Sequence, residues 1–211
     1  MRISDVRYSR DLRRYQLAWR FIQHRARTRT IERWTGLSMY RLRTLYDSYA
    51  AGVASRERMR GVAPHQVSYF WRSAQLRSEA AVLAGFLAAY GVFPEVPERA
   101  SAESLASVGR GERLIRAYEE FKASWPEAQS TLEHAILLLT ELVRGVEIAL
   151  SRCLDCAVLI VVDRLAITPP RCAFCLHELH NGRAYEERAS SAPDGAPNRM
   201  PDSVGIQGSL F

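Results

Sequence analysis

The sequence predicts a mainly α-helical protein with a small C-terminal lobe organised by cysteines. Three observations predict it. Apolar residues return at three- and four-residue steps over most of the first 150 positions, the period of a helix with one buried face. The one strongly β-branched run, Val158-Leu-Ile-Val-Val162, reads as a single strand. All four cysteines fall between positions 153 and 175 as two C-x₂-C pairs with fifteen residues between them. A chain of 211 residues has material for one main core and a small satellite. The expected organisation is a helical domain over 1–150, with a helix-turn-helix-like segment at about 28–49. A cysteine lobe over 151–180 follows, and then a tail over 181–211 whose Ser, Pro, Gly and Ala content without periodicity predicts disorder.

The elements follow in chain order. Residues 11 to 26 place Leu12, Tyr15, Trp19 and Ile22 on one helical stripe with Arg13, Arg14 and Arg20 between them. A short helix from Ile31 to Thr35 stops at Gly36, and a third runs from Ser38 to about Tyr49 with Leu42, Leu45, Tyr46 and Tyr49 on one face. Ser38 is placed to cap it, because its hydroxyl can accept from orphan first-turn amides. The breaker-containing stretch between Gly52 and Pro64 reads as loop. Residues 66 to 90 carry a helical pattern through Phe70, Ala74, Arg77 and Ala81, closed by Gly91 as a C-terminal cap residue. A connection over 94 to 111 leads to a helix from Glu112 to about Ser124, which Pro126 stops. Ser130-Thr-Leu-Glu133 has the form of a capping box, and the helix it opens is expected to reach Arg152. Its broad apolar face, with Ile136, Leu139, Val143, Val146 and Leu150, suits a core or a subunit interface.

The C-x₂-C-x₁₅-C-x₂-C pattern predicts a tetrahedral zinc site formed by Cys153, Cys156, Cys172 and Cys175, one ion per chain. Two thiolates two residues apart grip a metal from one tight turn, and a second such turn, reached through Pro169-Pro170, completes the shell. Four thiolates leave no position for a reactive water, so the site is structural. A disulfide pair is the alternative use of such cysteines, and it needs an oxidising compartment. The first twenty residues hold no apolar stretch of the kind found in a secretory signal, so reduced thiols are the expectation. A redox C-x-x-C needs a βαβ setting, and both pairs here follow a helical segment. His177 and His180 lie just beyond Cys175, but the shell is complete without them.

Catalytic patterns are absent. The chain has no phosphate-cradling G-x-x-x-x-G-K-[ST] loop, no paired carboxylates and no Ser/His/Asp arrangement, and it lacks the His-x-Glu of zinc deaminases. The expectation is that it is not an enzyme. The aliphatic runs, such as Ile136 to Leu139, are far below the roughly 20 residues of a membrane span, so a cytoplasmic protein without membrane association is expected.

Charge is asymmetric. Residues 1 to 60 hold fifteen arginines against five acids, +10, whereas the whole chain carries +6, leaving −4 for the rest. A basic N-terminal quarter suits a polyanion such as nucleic acid, and the alternative is a solvated arginine face. Within it, Thr30-Ile-Glu-Arg-Trp-Thr-Gly-Leu-Ser-Met-Tyr-Arg-Leu-Arg-Thr-Leu-Tyr46 has the form of a helix-turn-helix. Gly36 sits where the turn requires a positive φ, with Ile31, Leu37, Leu42 and Leu45 to lock two helices. Glu32 departs from the small residue usual at the crossing. On that reading Ser38, Tyr40, Arg41, Arg43 and Thr44 open a recognition helix toward base edges, and Arg27, Arg29 and Arg33 neutralise phosphates.

The order of these parts resembles the FlhC family. The resemblance rests on the arginine-rich first helix, Thr28-Arg-Thr-Ile-Glu-Arg-Trp-Thr-Gly-Leu-Ser38, Arg41-Leu-Arg-Thr-Leu-Tyr46, Phe70-Trp71, Leu114-Ile-Arg-Ala-Tyr118 and the two cysteine pairs, over roughly residues 10 to 178. It implies the C subunit of the bacterial flagellar master activator. Such a subunit works with FlhD, commonly as four FlhD and two FlhC chains, binds upstream of flagellar promoter DNA and recruits sigma-70 RNA polymerase. It also implies zinc on Cys153, Cys156, Cys172 and Cys175. Two departures stand out: a longer linker between Phe93 and Glu112, and a nearly uncharged tail. The competing expectation is a zinc-ribbon adaptor whose partner supplies all DNA recognition.

Overall fold

A computed structural model describes residues 6–50, 61–94 and 105–178 of the chain. The expected tail over 181–211 lies outside the described residues. Helices dominate, in the order α1 (Val6–Gln23), α2 (Thr28–Thr35), α3 (Met39–Ala50), a 3₁₀ turn (Val67–Trp71), α4 (Ala74–Ala89), α5 (Val108–Ser124) and α6 (Leu132–Arg144). Strands β1 (Ile148–Arg152) and β2 (Leu159–Asp163) then pair antiparallel, with Ile148 opposite Asp163 and Arg152 opposite Leu159. The chain divides into two compact units, Met1–Cys175 and Leu176–Phe211. The helices α1 to α6, the hairpin and the cysteines belong to the first.

Helix ends follow local chemistry. Ser73 and Ser107 accept the amides of Leu76 and Arg110, at 3.1 and 3.3 Å, and so open α4 and α5. Gly36 at φ 67° and Gly145 at φ 62° close α2 and α6 in the left-handed region, where a Cβ is disfavoured. Several expected boundaries move: α1 covers Val6–Gln23 where 11 to 26 was expected, α2 begins at Thr28 before Ile31, and α5 begins at Val108, inside the expected connection, because Ser107 caps it. The pattern over 66 to 90 breaks at Arg72–Ser73, because Ser73 leaves the helical region at ψ 162° to act as a cap. The helix expected to reach Arg152 ends at Arg144, and the chain beyond Gly145 becomes β1.

The capping box is displaced by one residue. Thr131, not Ser130, caps α6, and His134 Nδ1 accepts the Thr131 amide at 3.1 Å. Ser130 and Glu133 are instead drawn into tertiary contacts. Glu79 on α4, fully buried, accepts the amides of Gln129 and Ser130 and the Ser130 hydroxyl at 2.7 to 2.9 Å. Burial alone raises the Glu79 carboxyl pKa; these hydrogen bonds outweigh it and hold it below its ordinary value. Glu133, 6% exposed, accepts the Arg27 amide at 2.7 Å and the Thr30 hydroxyl at 3.0 Å. It thereby caps α2, whose own N-cap side chain makes no such bond.

One hydrophobic core joins all six helices and β1, through residues such as Phe21, Ile31, Leu42, Leu83, Leu114, Phe121, Leu138 and Ile148. The apolar face of α6 lies in this core: Leu132, Ala135, Leu138 and Leu139 are buried, whereas Val146 and Leu150, beyond the helix, are exposed. Gly111 lets α5 approach α1 and α2, since a Cβ there would stand 2.8 Å from Leu17 Cδ2 and 3.3 Å from Trp34 Cε3. On the surface Arg13 holds Glu112 by two hydrogen bonds, at 2.8 and 2.5 Å, and Arg20 holds Glu119, which also meets His24 Nε2 at 3.0 Å. Both arginine pairs span 99 positions, so α1 and α5 run in the same direction.

Two expected apolar stripes are rotated. On α1 the core takes Leu17, Ala18, Phe21 and Ile22, while Leu12 is 44% exposed and Tyr15 and Trp19 are half-buried. On α4 it takes Leu76, Ala80, Leu83, Ala84 and Leu87, leaving Arg77 and Ala81 on the helix flank. In each case the residues left over line a cleft, one between α1 and α3 and one between α4 and β2.

Candidate metal centre

The hairpin turns the chain so that both cysteine pairs meet. Cys153 follows β1 directly and begins a tight turn: its carbonyl accepts the Ala157 amide at 2.9 Å, and its amide donates to Val158 O at 2.9 Å. Ala157 stands at φ 58°, a left-handed conformation that costs an L-residue with a Cβ about 1–2 kcal/mol. The second pair is anchored to the first by the Leu154 amide donating to Pro170 O at 3.0 Å and by Arg171 Nε lying 2.9 Å from Asp155 Oδ2.

These constraints bring the four Sγ atoms within 4.8 Å of one another. Sulfurs at about 2.3 Å from a central ion stand about 3.8 Å apart in a tetrahedron. The Sγ atoms of Cys156 and Cys172 are 3.7 Å apart, and all four cysteines are free, since a disulfide requires about 2.05 Å. Backbone amides point at sulfur, with Cys172 N 3.3 Å from Cys153 Sγ and Cys175 N 3.3 Å from Cys172 Sγ. Amides of Cys156 and Cys172 lower the Cys153 thiol pKa to about 6, while the Cys172 side chain raises that of Cys175. Four adjacent thiols resist ionising together, and a cation at their centre removes that conflict. The donor set therefore fits a metal ion. Cys153 and Cys175 are buried, with Ile160 as the remaining buried member of a small cluster, and Cys156 is exposed.

The sequence-predicted DNA contacts occupy α2, α3 and their flanks. Arg29, Arg33, Ser38, Tyr40, Arg41, Arg43 and Thr44 are exposed, whereas Arg27 is half-buried at the start of α2. Leu42 and Leu45 are buried as their spacing requires, and Ser38 Oγ faces the Arg41 amide at 3.5 Å. Beside them lies a cleft of about 630 Å³ between α1 and α3, lined by Leu12, Tyr15, Trp19, Tyr40, Arg41 and Thr44. Sequence reasoning missed this cleft, and it missed the Asp155–Arg171 clamp. The signal for the cleft was the aromatic content of a helix stripe that the core did not need.

Among the described residues no helix is long and apolar enough to cross a membrane. The fold and site together define a mainly helical chain with a four-cysteine cluster that could hold one metal ion. No known protein family matches the chain, and no curated protein matches it.

Proposed function

We propose that this chain is the DNA-binding subunit of a cytoplasmic transcription activator, acting with an FlhD-type partner to switch on flagellar promoters through sigma-70 RNA polymerase, with no catalytic role. The observation that carries the reading is the exposed set Tyr40, Arg41, Arg43 and Thr44 on α3, after a left-handed Gly36, in a basic N-terminal quarter. In this reading α2 and α3 form a helix-turn-helix whose second helix enters the major groove. Arg41 and Arg43 address guanine edges; Arg29 and Arg33 address phosphates. The four cysteines hold zinc, which ties down a lobe with too small a core to stand by itself.

A second reading is favoured by the cleft between α1 and α3. Its aromatic lining and the 78% exposure of Tyr40 suit a protein partner, with this chain as a zinc-ribbon adaptor. The test uses the complex co-expressed with the FlhD-type subunit of the same genome, at defined salt. Replacing Arg41 and Arg43 by Ala is expected to cost about 1–3 kcal/mol of promoter affinity each and to relax sequence preference. Wild-type affinity and salt dependence in the double variant would remove the DNA reading and leave the adaptor.

A further inference from the structure

The two cysteine turns lie side by side in one register. The Leu154 amide donates to Pro170 O at 3.0 Å, Arg171 Nε lies 2.9 Å from Asp155 Oδ2, and Cys156 Sγ stands 3.7 Å from Cys172 Sγ. Each contact spans 16 positions, so the alignment that joins Leu154 to Pro170 also sets Cys156 beside Cys172. The four thiols are not equally open. Cys153 and Cys175 are buried, Cys172 is half-buried and Cys156 is exposed. A small solute therefore meets Cys156 first, and the sulfur in register with it belongs to the other C-x₂-C pair.

The geometry points to a reversible oxidation site, at which a peroxide converts Cys156 and Cys172 to a disulfide and the metal leaves. The inference rests on the four cysteines holding a metal, and it is independent of DNA binding. The Cys156 thiolate attacks one peroxide oxygen; the O–O bond breaks, hydroxide departs and a sulfenic acid remains. The Cys172 thiolate then attacks the Cys156 sulfur; the S–S bond forms as the S–O bond breaks and a second hydroxide departs. Two thiolates and one hydrogen peroxide thus give one disulfide and two hydroxides. The sulfurs close from 3.7 Å to about 2.05 Å, while the Leu154 and Asp155 contacts keep the turns together. Cys153 and Cys175 are then half of a four-thiolate shell, too few for a closed site. A dithiol reductant takes up the disulfide by thiol exchange and restores the shell.

The test uses the full-length chain, loaded with zinc and freed of excess thiol, with hydrogen peroxide as oxidant. Metal content is read before treatment, released metal by a chromogenic chelator, and disulfides by mass spectrometry after cleavage before Asp155 and after Phe174. Zinc release in step with disulfide formation is expected, with Cys156–Cys172 the main cross-link, helical circular dichroism retained, and dithiothreitol plus zinc restoring the starting state. Asp155→Asn removes the ion pair that holds the register and leaves all four cysteines. It should lower the ratio of Cys156–Cys172 to within-pair disulfides by about two- to fivefold, the worth of one partly exposed ion pair. The proposal is overturned if the main disulfides are Cys153–Cys156 or Cys172–Cys175, if zinc stays bound under excess peroxide, or if Asp155→Asn leaves the ratio unchanged. The wild-type map decides the matter even if the variant fails to hold metal. An untreated chain that takes up no metal overturns the metal site together with the proposal, whereas a loaded chain that forms the wrong disulfide overturns the proposal alone.

Discussion

Two glycines in helices predict stability changes of opposite sign. Replacing Gly by Ala inside a helix gains about 0.8–1.0 kcal/mol where the new methyl has room. Gly85 has that room, so Gly85→Ala should stabilise by about 1 kcal/mol. At Gly111 the new Cβ would stand 2.8 Å from Leu17 Cδ2, 3.5 Å from Leu17 Cδ1 and 3.3 Å from Trp34 Cε3. Leu17 is 1% exposed and Trp34 3%, so neither has free space to retreat into. Overpacking of this kind costs about 1–3 kcal/mol, which offsets the propensity gain and, with both neighbours held in the core, leaves a net loss of up to about 2 kcal/mol. For a chain of this size each kcal/mol moves Tm by about 2–4 °C. Thermal and urea melts of the metal-loaded protein should place Gly111→Ala below wild type and Gly85→Ala above it. Adding Leu17→Ala to Gly111→Ala should cost less than the sum of the single changes, because the clash disappears with the leucine. A Gly111→Ala protein as stable as wild type would refute the close approach of α5 to α1 and α2.

Further outcomes follow from the caps and the cysteine lobe. Burial, helped by the Arg27 charge, lowers the His134 pKa to about 4 from 6.5. The unfolded chain therefore binds a proton between those values that the folded chain refuses, and stability should fall as pH drops from about 6.5 to 4. The partly exposed ring discounts the effect to about 1–2 kcal/mol, and His134→Gln should flatten that part of a pH–stability profile measured by urea unfolding. Ala157→Val places a β-branched residue at φ 58° and should weaken metal binding about fivefold or more, measured by competition with a chromogenic chelator. Chelation near neutral pH should speed amide exchange across residues 148 to 175 while helical circular dichroism persists, because the metal organises a cluster whose buried members are Cys153, Ile160 and Cys175. Equal acceleration throughout α1 to α6 would show instead that the whole core depends on the metal.

The cysteine quartet was legible because chelation is local: two residues between thiolates set the bite, whatever surrounds them. The ends of α2 and α4 and the strand over Leu159–Asp163 were legible for a similar reason, since Gly36, Gly91 and a β-branched run act within a few residues. What escaped was decided by distant partners. Glu133 reads as the end of a capping box until α2, more than a hundred positions earlier, claims its carboxylate. Val146 and Leu150 keep helical spacing with Ile136, yet Gly145 and pairing with β2 convert that stretch into β1. The stripes of α1 and α4 were misjudged by part of a turn because both helices carry more apolar surface than the core uses. The excess borders the two clefts.

The paired arginines of α1 also bear on how the chain avoids misfolding. Arg13 with Glu112 and Arg20 with Glu119 repeat after seven residues on both helices, so a single alignment satisfies both. Sliding α5 by one turn toward either end withdraws both carboxylates together and sets one of the two arginines against Arg116, which is exposed on the same helix. The nearest wrong alignments thus carry like-charge repulsion as well as lost attraction. These surface pairs add little to the depth of the native well, but they raise its closest neighbours and widen the gap that makes one alignment the only one the chain keeps.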